Sequence, residues 1–252
     1  YKKSVREPRK FWGKIAEENF VWYQAWDKVF DFDMEKHDIK WFTDGKLNIV
    51  KNCIDRHLSK RGEKTALIFE PNDINEQAQI ISYNELYVRV AKMANVLKSQ
   101  GIDKGDRVCI YLPMIPELAI AMLACARIGA IHSVIFAGFS AEAIKTRVED
   151  CGAKMVITSD GGFRGAKTIQ LKNIVDDAIK DLSAVEKVLV VKRTNEAVQM
   201  KEGRDLWLAP LYEAAEESNV AQIMDSEDPL FILYTSGSTG KPKGMVHTTA
   251  GY

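Results

Sequence analysis

The densest chemistry in this 252-residue chain lies in ten residues near its carboxyl end, Thr235-Ser-Gly-Ser-Thr-Gly-Lys-Pro-Lys-Gly244. Thr235, Ser236, Ser238 and Thr239 offer hydroxyl donors, and Lys241 and Lys243 supply positive charge. Gly237, Gly240 and Gly244 let the backbone come close to a ligand and turn its N–H groups onto an anion. Hydroxyls, lysines and glycines in one short loop point to phosphate. The loop is not the common P-loop, which needs G-x-x-x-x-G-K-[ST]: Thr235 stands where the first glycine belongs and Pro242 where the Mg²⁺-binding hydroxyl belongs. A ligand-free Gly/Ser linker is the bland alternative. Two lysines and the apolar run Pro229-Leu-Phe-Ile-Leu-Tyr234 directly before the loop speak against it.

Other reactive side chains are sparser. Asp160-Gly-Gly-Phe-Arg-Gly-Ala-Lys167 carries two cations, Arg164 and Lys167, which read from the residues alone as solvated surface charge or as an anion site. Cys53, Cys109, Cys125 and Cys151 form no C-x-x-C pair, and three of them sit in apolar stretches. They read as reduced core thiols of a cytoplasmic protein, without a nucleophilic role. Four histidines with no H-x-x-x-H spacing make a zinc site unexpected, and His132, inside an apolar strand, reads as a core histidine with its hydrogen bonds satisfied.

The elements that must position the loop are legible from residue 64 onward. Apolar runs at 65–69, 80–81, 107–112, 131–136, 154–158, 187–192 and 229–234 read as strands. Between them, Ser82 and Glu85 form a capping box before Leu86, Val90, Met93 and Leu97 on one helical face, closed by Gly101. Pro116 opens a helix that Gly129 ends, and Ser140 caps one that Gly152 ends. Further helices are expected over 171–182 and 211–217. This alternation predicts an α/β fold with a mostly parallel sheet made of βαβ units. The first sixty residues differ: Trp12, Trp22, Trp26 and Trp41, with several Phe and Tyr at irregular spacing, predict a segment draped over the core on aromatic anchors.

Composition excludes several classes. With 35 basic and 35 acidic residues the chain is no general nucleic-acid binder. Its longest apolar stretch, 118–139, is interrupted by Arg127 and His132 and so reads as a buried helix and strand, not a membrane span. A first residue that is not Met, and an ending with no stop signal, suggest a segment of a larger protein.

The loop, with the Leu-Tyr before it, resembles the signature loop of the adenylate-forming acyl-CoA synthetase superfamily. Phe11-Trp12, Trp26–Phe30, Ile39–Phe42, Leu47-Asn48, Cys53–Leu58, Met114–Leu118, Met122–Gly129 and His132–Phe136 are similar to AMP-forming acetyl-CoA synthetases. The resemblance implies that acetate attacks ATP to give acetyl-AMP and pyrophosphate, and that CoA then takes the acetyl group, with Mg²⁺ at the phosphates. It implies that Thr235, Ser236, Gly237, Ser238, Thr239, Gly240, Lys241, Lys243 and Gly244 hold ATP and pyrophosphate. It implies a CoA site at Gly138, Arg164, Gly165, Ala166 and Lys167. Lys167 departs from the arginine often found there. His247 is then expected to anchor structure, because a carboxylate substrate needs no general base. The resemblance divides the chain into an extension, residues 1–62, and a partial AMP-binding domain, residues 63–252. The acyl pocket, the ribose-binding acid, the Mg²⁺ glutamate and the adenylation lysine are expected downstream, so the 252 residues alone are expected to be inactive. Alternatives are a propionyl- or other short-chain acyl-CoA synthetase, or a non-catalytic nucleotide- or CoA-binding relative.

Overall fold

The structure, a computed structural model, describes the chain except residues 34, 37, 166 and 236–239. The amino-terminal region folds as α1 (Lys2–Arg6), α2 (Pro8–Asn19), a hairpin of β1 (Lys28–Asp33) and β2 (Asp38–Thr43), short β3 (Lys46–Leu47), α3 (Ile49–Cys53) and α4 (Leu58–Arg61). It has more secondary structure than a draped segment. The aromatics do cluster: Trp22, Trp26 and Phe42 have ring centroids 4.9 to 5.5 Å apart, and Trp12 meets Trp41 edge-on at 6.4 Å. Polar groups fasten the region as well. Buried Asn48 caps α3 by accepting from the Val50 N–H, and its amide donates to the carbonyls of Ala126 and Gln222. The acidic run near residue 225 reaches back: the Trp41 N–H donates to Glu227 at 2.6 Å, and Lys46 pairs with Asp225.

An antiparallel pair, β4 (Thr65–Phe69) and β5 (Gln79–Ser82), leads into α5 (Tyr83–Ser99). The Ser82–Glu85 capping box forms as the sequence predicts, and Gly101 takes φ +79 just past the helix. Then follow β6 (Arg107–Tyr111), α6 (Pro116–Ile128), β7 (Ile131–Val134), α7 (Ala141–Cys151), β8 (Met155–Ser159), the hairpin strands β9 (Gly162–Arg164) and β10 (Lys167–Ile169), α8 (Leu171–Ile179), β11 (Lys187–Val191), β12 (Asp205–Trp207) and α9 (Leu208–Ala214). Short β13 (Met224–Asp225) pairs with β3, and β14 (Pro229–Thr235) and β15 (Lys243–Thr248) complete the sheet. Relative to expectation, β7 stops two residues early, α8 ends at Ile179, and the helix near 211 begins at Leu208.

The sheet has seven strands in the order β12-β11-β8-β6-β7-β14-β15, parallel throughout except for antiparallel β15. Alternate side chains of β6 divide between two cores. Val108 and Ile110 pack with α5 and α6, while Cys109 and Tyr111 pack with α7 and α8. Both faces of the sheet are therefore covered, which is why its strands read as continuous apolar runs. From β6 the chain crosses to β7 on one side through α6. It then returns past β6 to β8 through α7, on the opposite face. Right-handed crossovers require that change of face when the direction of winding reverses. The carboxyl ends of β6 and β8 are thus a topological switch point, where their loops part and leave a crevice.

Candidate active site

That crevice is a cleft of about 1260 Å³, ample for a nucleotide-sized ligand. Its walls are the segments after β4, β6, β7 and β11 and the β9–β10 hairpin after β8. Leu233 of β14 also lines it, and β14, parallel to β7, ends at the same edge of the sheet.

The wall after β7 is a tight turn. The N–H groups of Gly138 and Phe139 both donate to the Phe136 carbonyl, at 2.7 and 3.0 Å. The Tyr111 hydroxyl donates to the Phe139 carbonyl at 2.9 Å, fixing the turn to the core, and burial pushes that phenol up to about 12. Gly138 lines the cleft.

The opposite wall is the hairpin whose turn includes Gly165 at φ +60, a conformation that favours glycine. Its register sets Arg164 directly opposite Lys167. Like charges across a strand pair repel, and neither forms an ion pair among the described residues. An anion bound between them would relieve that repulsion. Ala166 lies outside the described residues.

Three residues that support this wall have no signal in the sequence. The buried Asp160 carboxylate accepts the backbone N–H groups of Gly161, Arg193 and Thr194, at 2.7 to 3.0 Å. It so ties the start of the hairpin segment to the loop after β11. Arg193 in turn grips Glu76 with two bonds of 2.6 and 2.7 Å, which hold the Glu76 carboxyl below the usual carboxylate range. The Arg193 guanidinium also lies 5.3 Å from the Phe163 ring centre and 5.7 Å from that of Phe69. Glu76 and Arg193 are 117 positions apart, and only the fold reveals them as neighbours.

The glycine- and lysine-bearing segment joins β14 to β15, with Thr235 opposite Lys243. Gly240 takes φ +84, and Lys241 and Lys243 are exposed. Ser236, Gly237, Ser238 and Thr239 lie outside the described residues. Gly244 sits opposite Tyr234, and a Cβ there would come within 3.1 Å of the Tyr234 ring, so this glycine makes room for the aromatic. His247 stacks on Phe231 at 4.6 Å. His132 is buried as expected, but not satisfied: among the described residues its Nδ1 has no hydrogen-bond partner. Also among the described residues, no group of three His, Cys, Asp or Glu side chains could hold a metal, and no helix is long and apolar enough to cross a membrane.

A family described as AMP-binding enzyme matches residues 54–252, and one described as acetyl-coenzyme A synthetase N-terminus matches residues 1–53. The chain belongs to the AMP-binding enzyme family. Within it, the chain is 52% identical to acetyl-coenzyme A synthetase 2 of Pseudomonas aeruginosa and 53% identical to an acetyl-coenzyme A synthetase of Desulfatibacillum aliphaticivorans. Each match covers the whole of this chain and 39% of the relative, so the chain spans well under half the length of these AMP-binding enzymes. The structure superimposes on acetoacetyl-CoA synthetase from Streptomyces lividans with a TM-score of 0.90 at 26% identity, over 99% of this chain and 38% of that one.

Proposed function

We propose that the full-length protein is an AMP-forming acetate–CoA ligase. The observation that supports this is that Gly138, Arg164 and Gly165 line one cleft at the switch point of the sheet, to which Leu233 of β14, the strand before Lys241 and Lys243, also contributes. A carboxylate oxygen of acetate attacks the α-phosphorus of ATP, and the bond to the β-phosphate bridging oxygen breaks. Acetyl-AMP and pyrophosphate result. Residues 235–244 hold the departing phosphates through hydroxyls, backbone N–H groups and the two lysines. The CoA thiol then attacks the acyl carbonyl, losing its proton to solvent, and AMP leaves with the electron pair. Arg164 and Lys167 hold CoA phosphates, and the Gly138 turn lets the pantetheine arm pass close to the backbone. The chain's part in both steps is to position reactants and offset charge.

Mg²⁺, when bound, neutralises nucleotide phosphate charge. The described residues offer it no carboxylate cage, so it enters with the phosphates and a ligand from the rest of the protein. Residues 1–62 serve as an extension packed on the AMP-binding domain of residues 63–252, and the chain downstream supplies the acyl pocket and the adenylation lysine. The protein works in the cytoplasm, where four free cysteines are at home. The test is acetate-dependent ATP–pyrophosphate exchange. The full-length protein should exchange and the 252 residues alone should not; absence of exchange from the full-length protein with every short-chain acid defeats the proposal. A second reading, a different short-chain acid, is favoured by the structural match to an acetoacetyl-CoA synthetase; the same assay with propionate and acetoacetate separates the two.

A further inference from the structure

Cys109 and Cys151 are 42 residues apart in sequence, yet their Sγ atoms lie 3.6 Å apart. Cys109 is fully buried in the middle of β6, and Cys151 is the half-buried last residue of α7. This contact adjoins the groups that fasten the Gly138 turn and the end of β14. The Tyr234 hydroxyl donates to Asp150 Oδ2 at 2.7 Å and to the Arg147 carbonyl at 3.3 Å, both on α7. The Arg147 guanidinium lies against the rings of Phe139 and Tyr234, at 4.8 and 5.4 Å. Tyr234 directly precedes the segment that carries Lys241 and Lys243, and Phe139 closes the Gly138 turn. The end of α7 therefore supports both.

We propose that Cys109 and Cys151 form a reversible dithiol–disulfide pair, oxidised by a hydroperoxide, whose closure displaces the end of α7 and with it the Tyr234 anchor of the segment carrying Lys241 and Lys243. Cys151 is the attacking sulfur, being the one solvent reaches. A hydrogen bond from the Cys109 thiol and the nearby Arg107 guanidinium favour its thiolate, while Cys109 is held protonated by that bond and by burial. The Cys151 sulfur bonds to a peroxide oxygen and the O–O bond breaks. The leaving oxygen takes a proton, as water or an alcohol, and Cys151 becomes a sulfenic acid. The Cys109 sulfur then attacks Cys151, the S–O bond breaks, and hydroxide leaves with the Cys109 proton as water. Two thiols lose two electrons and the hydroperoxide gains them; an external dithiol reverses the change. A disulfide needs its sulfurs about 2.05 Å apart, so the pair must draw together. Strand β6 is hydrogen-bonded on both sides, to β7 and β8, so the proposed movement falls on the end of α7, where the Cys151 and Gly152 carbonyls accept from Arg107.

The test treats the full-length protein with hydrogen peroxide, alkylates the remaining thiols and maps peptides without reduction. A Cys109–Cys151 linked peptide that disappears on reduction is expected, together with a reversible, severalfold loss of ATP–pyrophosphate exchange. Cys109→Ser should give no link and leave a Cys151 sulfenic acid that dimedone traps. Tyr234→Phe, which keeps the ring but lacks the anchor, should still form the link while its exchange no longer responds to peroxide. Oxidation of exposed Cys53 without any 109–151 link overturns the pair, and a link that leaves wild-type exchange unchanged overturns the coupling. The exchange readout rests on the ligase reading; the peptide map does not, so failure of one is distinguishable from failure of the other.

Discussion

The Arg127 guanidinium meets the Asp55 carboxylate end-on, Nη1 to Oδ1 at 2.8 Å and Nη2 to Oδ2 at 3.1 Å. Arg127 is 1% exposed and also donates to the Asn219 carbonyl and stacks on Tyr87. One side chain at the end of α6 thus ties together the segment after α3, helix α5 and the stretch before β13. Removing one partner of a buried pair leaves the other charge uncompensated. Arg127→Ala in the full-length protein should therefore lower stability by about 3 kcal/mol. Urea denaturation measures it, and a loss no larger than that of an exposed Arg→Ala control would show the pair to be unimportant.

His132 should make the protein acid-sensitive. Burial pushes its imidazole down to about 4 from an ordinary 6.5, and Nδ1 has no partner to offset the loss of water. Between those values the unfolded chain binds a proton that the folded chain does not. Stability therefore falls as pH drops from 6.5 toward 4 and levels off below. The loss from this group is about 3 kcal/mol. Carboxylates contribute to acid unfolding too, so the comparison is with His132→Gln, whose stability should decline less over the same window. Equal slopes would refute the assignment.

Lys243 is exposed at the start of β15 and is proposed to bond a phosphate. A hydrogen bond to a charged group contributes about 1.5–3 kcal/mol, so Lys243→Ala should slow adenylation roughly ten- to a hundredfold. Thioester formation from supplied acetyl-AMP should hardly change. Equal slowing of both half-reactions would show that the turn does not hold pyrophosphate.

Arg164→Ala should raise KM for CoA about tenfold, by the same hydrogen-bond scale, and leave KM for ATP nearly unchanged. Steady-state kinetics with each substrate varied in turn decides the matter. A rise confined to ATP would place the hairpin on the other ligand.

What could be read from the sequence followed punctuation. Pro116 and Gly129 bracket α6, Ser140 and Gly152 bracket α7, and the Ser82–Glu85 box starts α5; each carries a local backbone instruction that tertiary packing had no cause to override. The hairpin of β9 and β10 went unseen because three-residue strands rich in Gly, Arg and Lys show no alternation. Strand β15 was missed because Lys243-Gly-Met-Val-His-Thr248 reads as polar loop until β14 offers a partner. The β1–β2 pair was hidden among aromatics whose spacing suits neither period. Of the cleft lining, Gly138, Arg164 and Gly165 stand out in the sequence through residue type and resemblance. Asp160, Arg193 and Glu76 do not, since an isolated charge carries no sign of a partner on another strand.

Many nucleotide sites set phosphate at the start of a helix, where free N–H groups and aligned peptide dipoles attract it. Here the chain after β14 returns as a strand, and strand dipoles largely cancel. The full positive charges of this segment are the exposed ammonium groups of Lys241 and Lys243. Dissolved ions shield such charges within about 8 Å at physiological strength, so capture of the nucleotide should weaken steadily as salt is added.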